Sequence, residues 1–560
     1  MSAFLARILR RKQFEANPLD TSLRRCLSTF DITMIGVGQT MGAGIYVLTG
    51  TVIRNIAGPS VPLSFLLAGI AAFLSALCYA EFGSRFPKAG SAYSYAYIGC
   101  GEVWAFVIGW NVILENMLSA AVVARALSGY LNVLFGGWIK QTTMKYLGSI
   151  DYNLFADYID VFAFLIALGM CILMMIGAKG STTFNSFNTV INVAMLAIVA
   201  GIGFYYADLG NWTGTTPDGS SKFFPYGITG TLAGASACFF SFIGFDGLAT
   251  AGEEAKNPIR SLPRATFYCM ATVTLAYILV SGSLSLMVPY TEVDPDAAFV
   301  VAFKQKGSTV AVVAVTIGAI SGMMGSMFGS LFALPRCVYA MAQDGLLFSF
   351  LGTVNGRTKV PVNAIIVFGL ITAVMAALFN VETLVDFLSL GTIMAYSMVA
   401  VCVMLLRYRD LEEREQLRFK VPAALATKFS IPWAITITVA GFAVADICLI
   451  SGLWEQMFGK ILAIFAIALA LLSILWIALH RQNPEGLAFK VPLVPLIPGL
   501  SLFLNTLMMV NLNGLAWVRF GIWMILGLAI YFAYGLRHSK ERPSNKVNEQ
   551  EIEIKEFERE

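Results

Sequence analysis

Fourteen times along this chain the residues stay apolar for about twenty positions, the length that carries a helix across the hydrocarbon core of a bilayer. The runs fall near 31–53, 60–83, 102–135, 158–177, 183–206, 228–252, 265–289, 308–342, 362–380, 382–406, 432–453, 459–480, 494–514 and 518–537. Of 560 residues, 13% are charged and 57% hydrophobic, whereas a soluble domain carries about 25% charge. The pattern predicts an all-α polytopic membrane protein of about 14 transmembrane helices.

Two of these runs are interrupted. The first reads Gly36-Val-Gly-Gln-Thr-Met-Gly-Ala-Gly44-Ile-Tyr46 and the second Ser241-Phe-Ile-Gly-Phe-Asp-Gly247. Glycines beside polar residues let a helix unwind in mid-membrane and bare its backbone. Bare backbone is tolerated at that depth only where it lines a cavity or lies inside protein. A matched pair of interrupted helices, one in each half of a chain, points to the binding site of a secondary transporter. The bland alternative is that these glycines only let helices pack closely, and a second break at the corresponding place weighs against it.

Charge placement orients the chain. Roughly 28 Lys and Arg fall in stretches on the side of the N-terminus, against about six on the other (Arg54, Lys140, Lys145, Lys222, Lys304, Lys306). The positive-inside rule then puts both termini in the cytoplasm. Residues 1–30 form a basic N-terminus, either a short amphipathic helix on the membrane surface or a disordered arm, without the features of a cleaved signal peptide. Residues 31–206 hold helices one to five and 228–406 helices six to ten. An odd number of helices per half makes the two halves an inverted repeat. Residues 432–537 form a four-helix appendix, in which Arg418-Phe-Lys-Val-Pro422 and Phe489-Lys-Val-Pro492 hint at a faint repeat. Residues 538–560 read as a disordered cytoplasmic tail. On this topology the sequon Asn211-Trp-Thr213 is external and open to a glycan.

Several functions drop out. The nine cysteines lie in apolar helices or cytoplasmic stretches, so neither disulfides nor a metal cluster is expected. Both histidines, His480 and His538, are expected at helix ends facing the cytoplasm, so metal or histidine-based proton chemistry in the core is not expected. No phosphate loop or catalytic triad is present, so an ATP-driven pump, an enzyme, a cofactor and a nucleic-acid partner are not expected; the oligomeric state is left open.

What an unwound helix offers is a pair of opposite partial charges, free carbonyls ending one half and free N–H groups opening the next. A zwitterionic amino acid complements both. Its carboxylate is expected on the N–H groups around Gly42, Ala43 and Gly44, and its ammonium at the carbonyls near Thr40, Met41, Phe240, Ser241 and Ile243. Asp246, inside the second break, either holds a cationic side chain or caps the half-helix that follows. Asn111, Glu115 and Ser119 share one face of the third helix. That stripe suits a substrate cavity or a set of interhelical hydrogen bonds. Glu102 opens the same helix, where its charge favours the helix dipole.

Four stretches carry a resemblance to the cationic amino acid transporter family of the amino acid–polyamine–organocation superfamily, nearest its fourth, orphan-like animal subtype. They are GVGQTMGAGIYVLTG at 36–50, CYAEFGSRFPKAGSAY at 78–93 with GEVWAFVIGW at 101–110, FSFIGFDGLATAGEEAKNP at 240–258, and Pro335–Leu347 with FKVPLVPLIP at 489–498. The resemblance implies a LeuT-like five-plus-five fold, alternating access, and an α-amino group and carboxylate held at the two breaks. It carries substrate contacts onto Thr40 and Ala43–Ile45 in the first helix and onto Phe240, Ser241, Ile243 and Gly244 in the sixth. It marks Glu102 as needed for transport. Asn192 stands where bacterial proton-coupled relatives carry lysine, which implies facilitated movement of arginine, lysine and ornithine across the plasma membrane. A neutral amino acid or polyamine carrier of an endolysosomal membrane, and a non-transporting nutrient sensor, are the rival readings.

Overall fold

The computed structural model describes residues 10–12, 21–42, 44–148, 156–215, 221–294, 297–408, 430–450, 453–482, 488–510, 512 and 514–541. Most of the basic N-terminus, Ala43, the Arg418–Pro422 motif and the tail from 542 onward lie outside the described residues.

Every apolar run is occupied by helix. The first run begins as α1 (Thr29–Thr40) and resumes after its break over Gly44–Leu48, Thr49–Val52 and Ile53–Ala57. Then come α2 (Val61–Arg85), the short α3 (Ala92–Gly99), α4 (Glu102–Leu134), α5 (Val161–Met175) and α6 (Ala178–Tyr205). The sixth run begins as α7 (Gly227–Phe239) and resumes over Gly247–Thr250 and Ala251–Glu254. It is followed by α8 (Pro258–Met287), the short α9 (Ala298–Gln305), α10 (Thr309–Gln343), α11 (Val362–Leu378) and α12 (Val381–Arg407). Last are α13 (Ser430–Ile450), α14 (Met457–Ala478), α15 (Leu496–Val510) and α16 (Gly514–Ile530). Among the described residues, ten helical segments are long and apolar enough to cross a membrane, and α5, α11 and α15 are shorter apolar helices.

Local chemistry sets the helix starts. Ser28 and Asp31 form a reciprocal capping box on α1. Asp160 caps α5 by accepting from Ala163 N at 2.9 Å, and Pro258 opens α8 at a position that needs no N–H.

Helices α1, α4, α6, α8 and α10 build the centre. There α10 packs on both α4 and α6, and α8 on α1, α2 and α6. Outer helices turn apolar side chains outward, as Ile464, Phe465 and Leu472 do on α14 and Ile522 and Ile525 on α16. Exposed faces of that kind suit lipid rather than water. The appendix is fastened by α15, which packs on α12, α13 and α2. Arg407 also forks onto Glu81 with two contacts of 2.7 Å, and Val491 N donates to the same carboxylate at 2.7 Å. Val491 belongs to the second Phe-Lys-Val-Pro motif, so that motif docks the appendix on α2.

Candidate functional site

The two breaks meet at the centre of the bundle. After Thr40 the backbone leaves the helix at Met41 (φ −82°, ψ 56°). In the other break the turn Phe240–Phe242 gives way to extended Ile243 (ψ 136°), then to Gly244 at φ +116°, a conformation that favours glycine. Contact between the breaks is direct. A Cβ on Gly44 would stand 2.6 Å from Ser241 Oγ, so only a glycine lets the two backbones come this close.

Between them lies a cavity of about 60 Å³, lined by Gln39, Thr40, Gly42 and Gly44 on one side and Phe240, Ser241, Ile243 and Gly244 on the other. Glu115, Asn116 and Ser119 of α4 and Ser326 of α10 complete the wall. At roughly 10–15 Å³ per water by the same measure, the space holds a few waters and not an amino acid. The breaks are drawn in a closed arrangement.

That closure explains what occupies the carbonyl acceptors expected to meet the ammonium. The hydroxyl of Tyr277, on α8, lies 2.8 Å from the Thr40 carbonyl and 2.9 Å from that of Ser241, so one group bridges the ends of both leading half-helices. Asn192 Nδ2 donates to the Met41 carbonyl at 2.9 Å while its Oδ1 accepts from Tyr46 at 2.7 Å. Gly42 N turns back onto the Thr40 carbonyl at 2.9 Å. Buried backbone groups in lipid must find partners, and here the chain's own side chains supply them.

Three wall residues also carry polar atoms, Gln39 Oε1, Glu115 Oε2 and Ser241 Oγ, that are buried without a hydrogen-bond partner among the described residues. Glu115 is 5% exposed. A buried, unpartnered carboxylate oxygen is costly, and three unpartnered polar atoms on residues that line one hollow suit a ligand rich in hydrogen-bonding groups.

Of the residues singled out in the sequence, Thr40, Gly42, Gly44, Phe240, Ser241, Ile243, Gly244 and Glu115 line the cavity. The side chains of Met41 and Ile45 are buried away from it. Asp246 makes no side-chain cap, which corrects the capping alternative: its own backbone is already helical (φ −67°, ψ −24°), not the extended geometry a capping residue adopts. Its Oδ1 instead accepts from Tyr396 of α12 at 3.0 Å, and the same hydroxyl accepts from Gly244 N at 3.4 Å. Tyr396 thus staples the second break. Asn111 packs against Gly391, leaving Glu115 and Ser119 as the part of the stripe that lines the cavity.

Glu102 lies well away. Thirteen residues separate it from Glu115 along α4, roughly 20 Å of helix. Its carboxylate gathers Tyr97 (2.9 Å), Tyr531 (2.8 Å), Ser539 (2.6 Å) and Arg10 (3.4 Å). Asn211 sits in a turn with its amide nitrogen donating to the Leu286 carbonyl at 2.7 Å. Sequence reasoning missed Gln39, Tyr277 and Ser326. Gln39 was visible as a polar residue inside the first break, whereas Tyr277 and Ser326 look like ordinary residues of apolar helices.

The amino acid permease family profile matches residues 27–445, and a profile for the C-terminus of the same permeases matches 489–539. Cationic amino acid transporter 4 of mouse is 39% identical over 97% of this chain and 92% of its own length. The human protein of that name is 40% identical over 96% and 92%. The chain belongs to the cationic amino acid transporter family. A plant member, cationic amino acid transporter 4, vacuolar, of Arabidopsis thaliana, is 34% identical over 95% of this chain and 96% of its own. As a member of this family the protein is a multi-pass membrane amino acid transporter and not an enzyme.

Proposed function

We propose that the protein moves cationic L-amino acids, with arginine, lysine and ornithine as substrates, by facilitated alternating access in the plasma membrane. The observation that carries this reading is Glu115 Oε2, buried and unpartnered on the wall of the cavity between the breaks. The substrate's α-ammonium takes the carbonyls of Thr40 and Ser241 from Tyr277, its carboxylate takes the N–H groups from Gly42 to Gly44, and Glu115 receives the side-chain cation. Met41, Ile45 and Asp246 then act through backbone and packing. Residues 31–206 and 228–406 act as a LeuT-like inverted pair, with both termini cytoplasmic and the 432–537 helices appended in the lipid bilayer.

Membrane potential alone suffices to drive such a substrate. One charge is worth about 2.3 kcal/mol per 100 mV. About 60 mV therefore supplies about 1.4 kcal/mol, a tenfold gradient. Asn192, neutral and committed to Met41 and Tyr46, offers no titrating group for proton coupling.

Labelled arginine uptake in voltage-clamped oocytes tests this. The expected result is an arginine-evoked inward current that persists without sodium and at constant pH. Electroneutral uptake of a neutral amino acid would replace it with the second reading, a carrier of an internal membrane, which the vacuolar name of the plant relative favours. Binding without flux would make the protein a sensor. Glu115→Gln should lower preference for arginine over a neutral analogue roughly tenfold or more, since a hydrogen bond to a charged group is worth about 1.5–3 kcal/mol. Unchanged preference would remove Glu115 from the substrate's path.

A further inference from the structure

Away from the breaks, two thiols meet. Cys100 lies between α3 and α4, and its Sγ is 3.5 Å from Sγ of Cys402 on α12. Glycine makes this approach possible: a Cβ on Gly99 would stand 2.7 Å from Cys402 Sγ and 3.5 Å from its Cα. Cys100 is half-buried, whereas Cys402 is fully buried. The pair sits two residues from Glu102, at the end of the bundle where Arg10 and Ser539 converge. A hydrogen bond shared with Cys402 pulls the Cys100 thiol below its ordinary range despite burial, with help from the Arg11 charge.

We propose that Cys100 and Cys402 are a reversible oxidation site, closed to a disulfide by hydrogen peroxide. The Cys100 thiol gives up its proton, its thiolate attacks one peroxide oxygen, the O–O bond breaks, and the leaving hydroxide takes up that proton, so a sulfenic acid and water result. Cys402 sulfur then attacks the sulfenic sulfur, the S–OH bond breaks, and a second water leaves with the Cys402 proton. Two thiols are oxidised and one peroxide is reduced to two waters. From 3.5 Å the sulfurs need approach by only about 1.5 Å to reach bonding distance. The link ties α12 to the α3–α4 corner. Six residues before Cys402 on α12 stands Tyr396, the staple of the second break, so the link restrains the helix that must release Gly244 and Asp246 when the site opens.

The test uses the full-length protein in liposomes, treated with hydrogen peroxide and then digested without reductant. The expected result is one linked peptide pair carrying Cys100 and Cys402, together with loss of labelled arginine uptake that dithiothreitol restores. In Cys100→Ser and Cys402→Ser no linked pair forms, and uptake survives peroxide. Both cysteines staying alkylatable in the treated wild type would overturn the site, a result independent of which substrate is carried. A linked pair with unchanged uptake, or equal inhibition of both variants, would overturn its hold on α12.

Discussion

A hydroxyl has one proton, so Tyr277 satisfies the carbonyls of Thr40 and Ser241 only by sharing it between them. An ammonium has three. The closed site is therefore held by a weaker donor than the ligand that would displace it, and Tyr277→Phe separates the two roles. Without the hydroxyl, two buried carbonyls lose their donor at a cost of about 1–3 kcal/mol, and the empty protein should melt at a lower temperature in detergent. Saturating arginine refills the gap, so the stabilisation by ligand should be larger in the variant than in the wild type. Equal ligand-induced shifts would show that Tyr277 and the ammonium do not compete. The breaks themselves were legible, because Gly42, Gly44 and Gly244 inside apolar runs have few other uses. Tyr277 was not, because a tyrosine in an apolar helix looks the same whether its hydroxyl faces a cavity or a neighbour. Asp246 was misread as a possible cap for a related reason: its true partner, Tyr396, comes from a helix 150 residues away.

Between elements, charges do what the apolar pattern does not reveal. Arg336 of α10 brings both Nε and Nη2 to a single oxygen of Glu254, Oε1, at 2.8 Å, donates from Nη1 to the Phe332 carbonyl at 2.7 Å and stacks over the Phe332 ring. The Glu254 carbonyl also receives Cys26 N at 2.9 Å and Leu27 N at 3.0 Å. One residue at the end of the second broken helix thus holds both α10 and the segment leading into α1. Both side chains are almost wholly buried, so removing one strands the other. Arg336→Ala should cost about 3–5 kcal/mol and appear as a large fall in melting temperature and membrane yield. Pairing Arg336→Met with Glu254→Gln leaves no orphaned charge and should recover most of that loss; a double variant as unstable as the single one would contradict the account. Length and hydropathy were enough to place all fourteen apolar runs, but the pairings Glu254–Arg336 and Glu81–Arg407 depend on helices brought together only by the fold.

Across the whole molecule, the segment at residues 10–12 and the segment at residues 539–540 converge on one face. From the N-terminal side, Arg10 reaches Glu102, Lys12 pairs with Asp344 at 2.7 Å, and Ser22 meets Tyr339 at 2.7 Å. From the C-terminal side, Ser539 donates to Glu102 and Lys540 N to the Asp344 carbonyl at 3.1 Å. Two acids, Glu102 at the start of α4 and Asp344 just after α10, therefore fasten both segments as a strap. Cys26 reports on it. Cys26 is 9% exposed, and burial, then the Glu254 carboxylate, push its thiol upward from its ordinary range, so its reaction is expected to quicken when the N-terminal segment that the strap fastens lifts. Ser539→Asp sets a carboxylate against Glu102, a repulsion of at least about 1 kcal/mol at contact, whereas Ser539→Ala only removes a donor. Maleimide labelling of Cys26 in membranes should be fastest in Ser539→Asp, intermediate in Ser539→Ala and slowest in the wild type, with Cys26→Ser as the background. Identical rates in all three would mean that the converging ends are packing alone and that the transport cycle leaves them in place.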